Sequence, residues 1–123
     1  MRKKHRWILP VLAILVILTL IALDERLILR TYTVASPKLT AEVRLAVVTD
    51  FHSSDNADDV VAMVASCAPD AVLMVGDMFD DDTANRPTER TLSLMRQLSA
   101  LYPCYYVSGN HEAWTGEMDA LYQ

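Results

Sequence analysis

The sequence predicts an α/β domain, a parallel sheet built as βαβαβ, preceded by an apolar N-terminal helix. Three observations carry this. Three short runs of β-forming residues, Val43–Thr49, Ala71–Val75 and Cys104–Val107, each end in a polar turn. Two stretches with apolar residues at helical spacing separate them, and alternating strands and helices imply parallel strands joined by right-handed crossovers. Ahead of all this lies a continuous apolar run, Trp7–Leu23.

That run is interrupted only by Pro10 and Thr19. As a helix it spans about 25 Å at ~1.5 Å per residue, close to the minimum for crossing a bilayer. No good cleavage site follows. Leu20-Ile21-Ala22 has a large residue where a small one is needed, and Thr33-Val34-Ala35 lies far downstream, so the run reads as an uncleaved anchor. Arg2, Lys3, Lys4 and Arg6 precede it and Asp24-Glu25 follow it, which orients the N-terminus to the cytoplasm and the remainder outside it. Residues 1–26 are therefore expected to be basic flank and transmembrane anchor, 27–42 a juxtamembrane linker and 43–123 the domain. Pro37 biases Ser36 away from helix and marks the linker's end.

Within Val43–Thr49 the chain is continuously apolar from Leu45 to Val48, the pattern of a strand covered on both faces. Asn56 or Asp55 can cap a helix starting at Ala57, with Asp58 and Asp59 in its positively polarised first turn. This helix runs through Val60, Val61, Met63, Val64 and Cys67 and stops before Pro69. Ala71–Val75 is the second strand. Pro87 suits the first turn of a second helix, whose Leu94, Met95, Leu98 and Leu101 recur at helical spacing until Pro103 ends it. Cys104–Val107 is the third strand.

Charge excludes some functions. Residues 41–123 hold 14 acidic and 4 basic side chains, a balance of −10. A basic nucleic-acid groove is not expected in such a domain, whereas acid density suits cation binding. Cys67 and Cys104 have no metal-finger spacing and read as small apolar fillers, a disulfide being open to them outside the cytosol. The three glycines, Gly76, Gly109 and Gly116, form no Gly-Lys-Ser/Thr loop, so a P-loop is excluded. A receiver-type phosphoacceptor needs a lysine near its acyl phosphate, and none follows Lys38.

Chemistry concentrates where the strands end. In a parallel α/β sheet, ligands bind in the crevice outside the carboxyl ends of the strands. Asp50 and His52, then Gly76, Asp77 and Asp80, then Gly109, Asn110, His111 and Glu112 all fall just past such an end. Each set alone is weak evidence, because a turn aspartate or a surface imidazole is common. Their recurrence at one edge makes coincidence unattractive. Carboxylate, imidazole and amide donors together suit Mn²⁺, Fe, Zn²⁺ or Mg²⁺. Asp81 and Asp82 read as solvated loop carboxylates.

The set Asp50-x-His52, Gly76-Asp77-x-x-Asp80 and Gly109-Asn110-His111-Glu112 resembles the first three signature blocks of the calcineurin-like metallophosphoesterases, over roughly residues 43–117. The anchor and linker resemble those of the bacterial membrane-associated branch. The resemblance implies a four-layer αββα sandwich, of which this chain would hold the N-terminal part, and hydrolysis of a phosphomonoester or phosphodiester by water activated at two divalent ions. It implies that Asp50 and His52 bind the first metal, Asp77 bridges both and Asn110 binds the second. His111 would lie outside the metal shell as catalytic acid or phosphate contact, while Gly76, Asp80, Gly109 and Glu112 would support the site.

The family's pattern also includes later histidines, an isolated one and a Gly-His-x-His block. The histidines of this sequence are His5, His52 and His111. The expectation is thus an N-terminal fragment, weakly active or inactive, with one sheet face uncovered for want of the second sheet. A membrane-tethered module that binds metal or a partner without turnover is the alternative. Tethering outside the cytoplasm would favour an envelope phosphoester or a lipid-linked phosphate as substrate.

Overall fold

The structure, a computed structural model, describes residues 8–22 and 27–114. The basic flank with His5, the residues Asp24 and Glu25, and the stretch 115–123 lie outside the described residues. In chain order the elements are α1 (Ile8–Ala22), β1 (Leu45–Val48), α2 (Ala57–Ser66), β2 (Ala71–Val75), α3 (Thr88–Leu101), β3 (Cys104–Val107) and a short α4 (Asn110–Trp114). Helix α1 has 15 residues, about 22 Å at 1.5 Å per residue, against a hydrocarbon thickness near 30 Å. Among the described residues no helix is long and apolar enough to cross a membrane. The longer span read from the sequence has its two ends, Trp7 and Leu23, outside the described residues. Residues 27–44 carry no helix or strand.

The expected βαβαβ order is present. Both strand pairs are parallel, the sheet order is β1-β2-β3, and Val48 lies opposite Met74 while Val75 lies opposite Val107. Adding each strand on the same side through a right-handed crossover places both connecting helices on one face. Side chains alternate across a strand, so Val72 and Met74 face these helices and are buried. They meet Val60 and Val64 of α2 and Leu94 and Leu98 of α3 in one apolar cluster. Burial of a Leu or Val side chain stabilises by about 1.5–3 kcal/mol, so these six residues hold the helices to the sheet.

Among the described residues, nothing covers the opposite face. Leu45, Val47, Val75, Tyr105 and Val107 are 51, 61, 43, 63 and 56% exposed. This corrects the reading of Leu45–Val48 as a strand covered on both faces: the run is apolar on both sides, but α2 and α3 cover only one. Three smaller corrections follow. Leu101, on the expected apolar stripe, is 57% exposed because it is the last residue of α3, and Thr91 joins Leu94 and Leu98 inside instead. Asn56 occupies the cap position of α2 without a side-chain cap hydrogen bond. The cysteines are free thiols and only half-buried; Cys67 Sγ donates to the Met63 carbonyl (3.3 Å), and burial pushes the Cys104 thiol pKa up.

Candidate metal centre

The three polar turns converge at the carboxyl edge of the sheet, and the backbone there is unusual. Asp50, His52, Ser53 and Asp77 have φ of 55, 47, 47 and 52°, beside Gly76 at 75°. For residues with a Cβ this left-handed region costs roughly 1–2 kcal/mol each. Such conformations persist only where their surroundings over-determine them.

Hydrogen bonds between the first two turns do that. The amides of Asp50, His52 and Ser53 donate to the carbonyls of Gly76 (3.3 Å), Asp77 (3.1 Å) and Met78 (3.0 Å). The two turns therefore continue the β1–β2 ladder past the strand ends, which keeps Asp50 and His52 beside Asp77.

Glu112 locks the second turn to the third. Its side chain is fully buried. One carboxylate oxygen accepts from the amides of Met78 (2.7 Å) and Phe79 (3.1 Å), the other from those of Asp77 (3.1 Å) and Gly109 (2.8 Å). Burial alone would raise its pKa, but donation from the backbone N–H groups of Phe79, Glu112 itself, Gly109 and Met78 outweighs that and holds it below the ordinary value. The resemblance gave Glu112 only a supporting place; its anionic form is the pin between two loops. The glycines allow the closeness. A Cβ on Gly109 would overlap the carboxylate and amide of Asp77, and one on Gly76 would come within 3.0 Å of Gly109 Cα.

Within this frame, His52, Asp77 and His111 bring one ligand atom each within 4.8 Å of one another. The imidazoles of His52 and His111 meet edge to face at 4.4 Å between centroids. Asp77 Oδ1 accepts the His111 amide (3.0 Å). The Asn110 amide, in the orientation that satisfies both neighbours, donates to Asp77 Oδ2 (3.2 Å) and accepts from the His111 amide (3.3 Å). Asp50 sits at the rim with its side chain 64% exposed, Oδ1 3.9 Å from His52 Nε2 and Oδ2 accepting the Thr49 hydroxyl at 2.8 Å. Asp80 is more enclosed, at 13%, with Oδ2 3.7 Å from His52 Nδ1. The arrangement thus brings His111 beside His52 and Asp77, keeps Asn110 in contact with Asp77 and leaves the Asp50 side chain largely exposed.

Several neighbours of the site were not singled out from sequence. Asp81, read as a solvated carboxylate, has Oδ1 3.5 Å from His111 Nδ1. Trp114 lies over His111 at 4.9 Å between centroids. Arg86 and Arg90 reach the carbonyls of His52 and Ser53. Nothing in their spacing marks them, since each acts across the gap between a loop and the start of α3. Asp82 behaves as expected, accepting hydrogen bonds from Asn85 in an exposed loop.

The donor set fits a divalent transition ion. Two imidazoles and a carboxylate are borderline-to-hard ligands suited to Zn²⁺, Mn²⁺ or Fe. Nδ1 of both His52 and His111 is buried without a hydrogen-bond partner. Polar atoms buried in that way call for a partner close by, and the nearest candidates are the carboxylates of Asp80, 3.7 Å from His52 Nδ1, and Asp81, 3.5 Å from His111 Nδ1, which leaves the Nε2 atoms for a ligand.

Comparison with known proteins points the same way. The family model described as calcineurin-like phosphoesterase matches residues 43–123. A metallophosphoesterase of Campylobacter jejuni, itself described as uncharacterized, is 28% identical over 97 residues, which is 75% of this chain and 25% of that protein. The chain spans about a quarter of the length of this curated relative. No solved structure matches with significance.

Proposed function

The chain belongs to the calcineurin-like phosphoesterase family, and from that premise we propose that it supplies part of a dinuclear metal centre for phosphoester hydrolysis. The observation that carries this reading is the meeting of His52, Asp77 and His111 at the end of three strands that are far apart in sequence. Divalent ions held there would neutralise phosphoryl charge and activate water.

Each side chain has a distinct part in this proposal. Asp77 sits centrally, with one oxygen beside the His111 amide and the other beside the Asn110 amide. It is the residue able to offer an oxygen to each of two ions. His52 and Asp50 would complete the first, and Asn110 would serve the second once its carboxamide oxygen turns from the His111 amide towards Asp77. His111 has Asp81 at Nδ1, which leaves Nε2 as the atom from which a proton reaches the leaving alkoxide. An imidazole can carry that proton near neutral pH. Glu112, with no freedom to move, keeps these loops in register.

The proposal extends to location and substrate. The side chains of residues 8–21 are exposed, and the Thr19 hydroxyl is satisfied by the Leu15 carbonyl of its own helix (2.8 Å), as a hydroxyl in lipid must be. We read this segment, with its basic flank, as a membrane anchor and the domain as extracytoplasmic. An envelope phosphoester or lipid-linked phosphate is the substrate class that this location favours. The bare sheet face is read as the seat of a second sheet from the remainder of a four-layer sandwich.

With His111 kept for proton transfer, the four donors Asp50, His52, Asp77 and Asn110 are few for two ions. The full chain is accordingly expected to bind Mn²⁺ weakly and to hydrolyse p-nitrophenyl phosphate esters little. Robust metal-dependent turnover by the chain would contradict the division of the centre. In a relative carrying the further histidines, replacement of the aspartate equivalent to Asp77 by Ala is expected to abolish turnover, and retained activity there would refute the bridging role.

A further inference from the structure

Arg86, in the loop before α3, and Arg90, in its first turn, hold the strained turn that carries His52. Arg90 Nη1 donates to the Ser53 carbonyl (3.3 Å). Arg86 Nη1 donates to the His52 carbonyl (3.2 Å). The amides of both turn residues are already committed to β2-side carbonyls, so the arginines fix the carbonyl side of each residue. The two differ in one respect. Arg86 Nε also lies 3.7 Å from Asp80 Oδ2, the oxygen that faces His52 Nδ1 at 3.7 Å. The other Asp80 oxygen is occupied by the Asp82 amide at 2.8 Å.

We propose that Arg86 is a positioning residue for His52, gripping its backbone carbonyl directly and its imidazole through Asp80, so that Nε2 is the nitrogen presented to an ion. The fork geometry of a guanidinium permits this double grip, because its N–H groups diverge in one plane. Asp80 and Asp50 compete for the ring, at 3.7 and 3.9 Å, with side-chain exposures of 13 and 64%. A charge shielded from water acts through a lower effective dielectric, so Asp80 is the stronger attractor for an N–H at Nδ1, a buried atom with no hydrogen bond of its own. Asp80 keeps that position because Arg86 and the Asp82 amide hold it at both oxygens. This inference deepens the metal-centre reading and rests on it for its purpose, but the geometry of His52 can be tested without any ion.

The test uses the full chain in detergent, with Mn²⁺ as the probe. Long-range ¹H–¹⁵N spectra of the metal-free protein, at a pH where the imidazole is neutral, report the His52 tautomer. Wild type is expected to show the Nδ1–H form. Arg86→Ala is expected to shift it towards a mixture and to weaken Mn²⁺ binding about tenfold, as loss of such outer contacts commonly does. Arg90→Ala removes the neighbouring clamp and is expected to lower thermal stability while leaving the His52 signals in place. Arg86→Lys guards against simple misfolding. Its single ammonium can restore stability but cannot hold both partners, so the His52 shift is expected to persist. His52 signals unchanged in Arg86→Ala, an equal shift in Arg90→Ala, or full recovery in Arg86→Lys would each overturn the assignment. Failure of wild type to bind Mn²⁺ would refute the metal-centre reading instead, and the tautomer comparison would still decide the role of Arg86.

Discussion

Glu112→Gln isolates the pin between the second and third turns, because it changes charge and bonding but hardly any volume. The wild-type carboxylate receives the backbone N–H groups of Met78 and Phe79 at one oxygen and those of Asp77 and Gly109 at the other. A glutamine keeps one acceptor oxygen and turns an NH₂ group towards the other two donors. Leaving a buried donor unsatisfied costs about 1–3 kcal/mol. Two such donors give a loss of about 2–6 kcal/mol, against a total stability of about 5–15 kcal/mol for an ordinary domain. At roughly 4–8 °C per kcal/mol for a domain of this size, the midpoint should fall by about 10 °C or more. Thermal and urea unfolding followed by circular dichroism measure this directly.

The pH dependence supplies an independent check with a definite sign. The folded-state pKa of Glu112 lies below its unfolded value near 4.5. The unfolded state therefore takes up the proton first as pH falls. The stabilisation is fully present above pH 4.5 and is lost progressively as pH drops from there through the lower folded value. Glu112→Gln should lack this component, so the gap between the two proteins narrows in acid. A loss under 1 kcal/mol at neutral pH, or a gap that stays constant down to the acid limit, would refute the account of Glu112 as an anionic pin.

Two further outcomes test the frame. Gly109→Ala places a methyl group onto the Asp77 carboxylate and should cost about 1–3 kcal/mol, as overpacking does; full stability in a urea titration would mean that the turns are farther apart than described. Val47→Thr lies on the bare sheet face at 61% exposure and should change stability by no more than about 0.5 kcal/mol, whereas a loss above 1 kcal/mol would show that something covers this face.

The fold was largely legible because each strand and helix announces itself locally. Ala71–Val75 and Cys104–Val107 are apolar runs bounded by Pro, Asp or Gly, and the strands occupy those residues. Coverage was not legible in the residue pattern, since Leu45–Val48 is apolar on both sides and reads as covered on both; the resemblance to a four-layer sandwich is what implied an uncovered face, and parallel order with right-handed crossovers puts α2 and α3 on the other. The gathering of His52, Asp77 and His111 was legible for a topological reason, since all three follow strand ends. The roles of Glu112, Asp81, Arg86 and Arg90 were less so, because each depends on how one loop lies on another. A carboxylate aimed at backbone amides has no partner in the side-chain sequence to betray it.

The functional reading turns on the proposed cation site centred on Asp77. Its most direct test is calorimetric titration of the full chain with Mn²⁺ and Zn²⁺, alongside Asp77→Asn and the double variant His52→Ala, His111→Ala. Saturable binding is expected of the wild type, weakened at least tenfold in both variants while their folded spectra persist, since outer contacts alone are worth about 10–100-fold in metal affinity. Binding that survives in Asp77→Asn and in the double variant would contradict it.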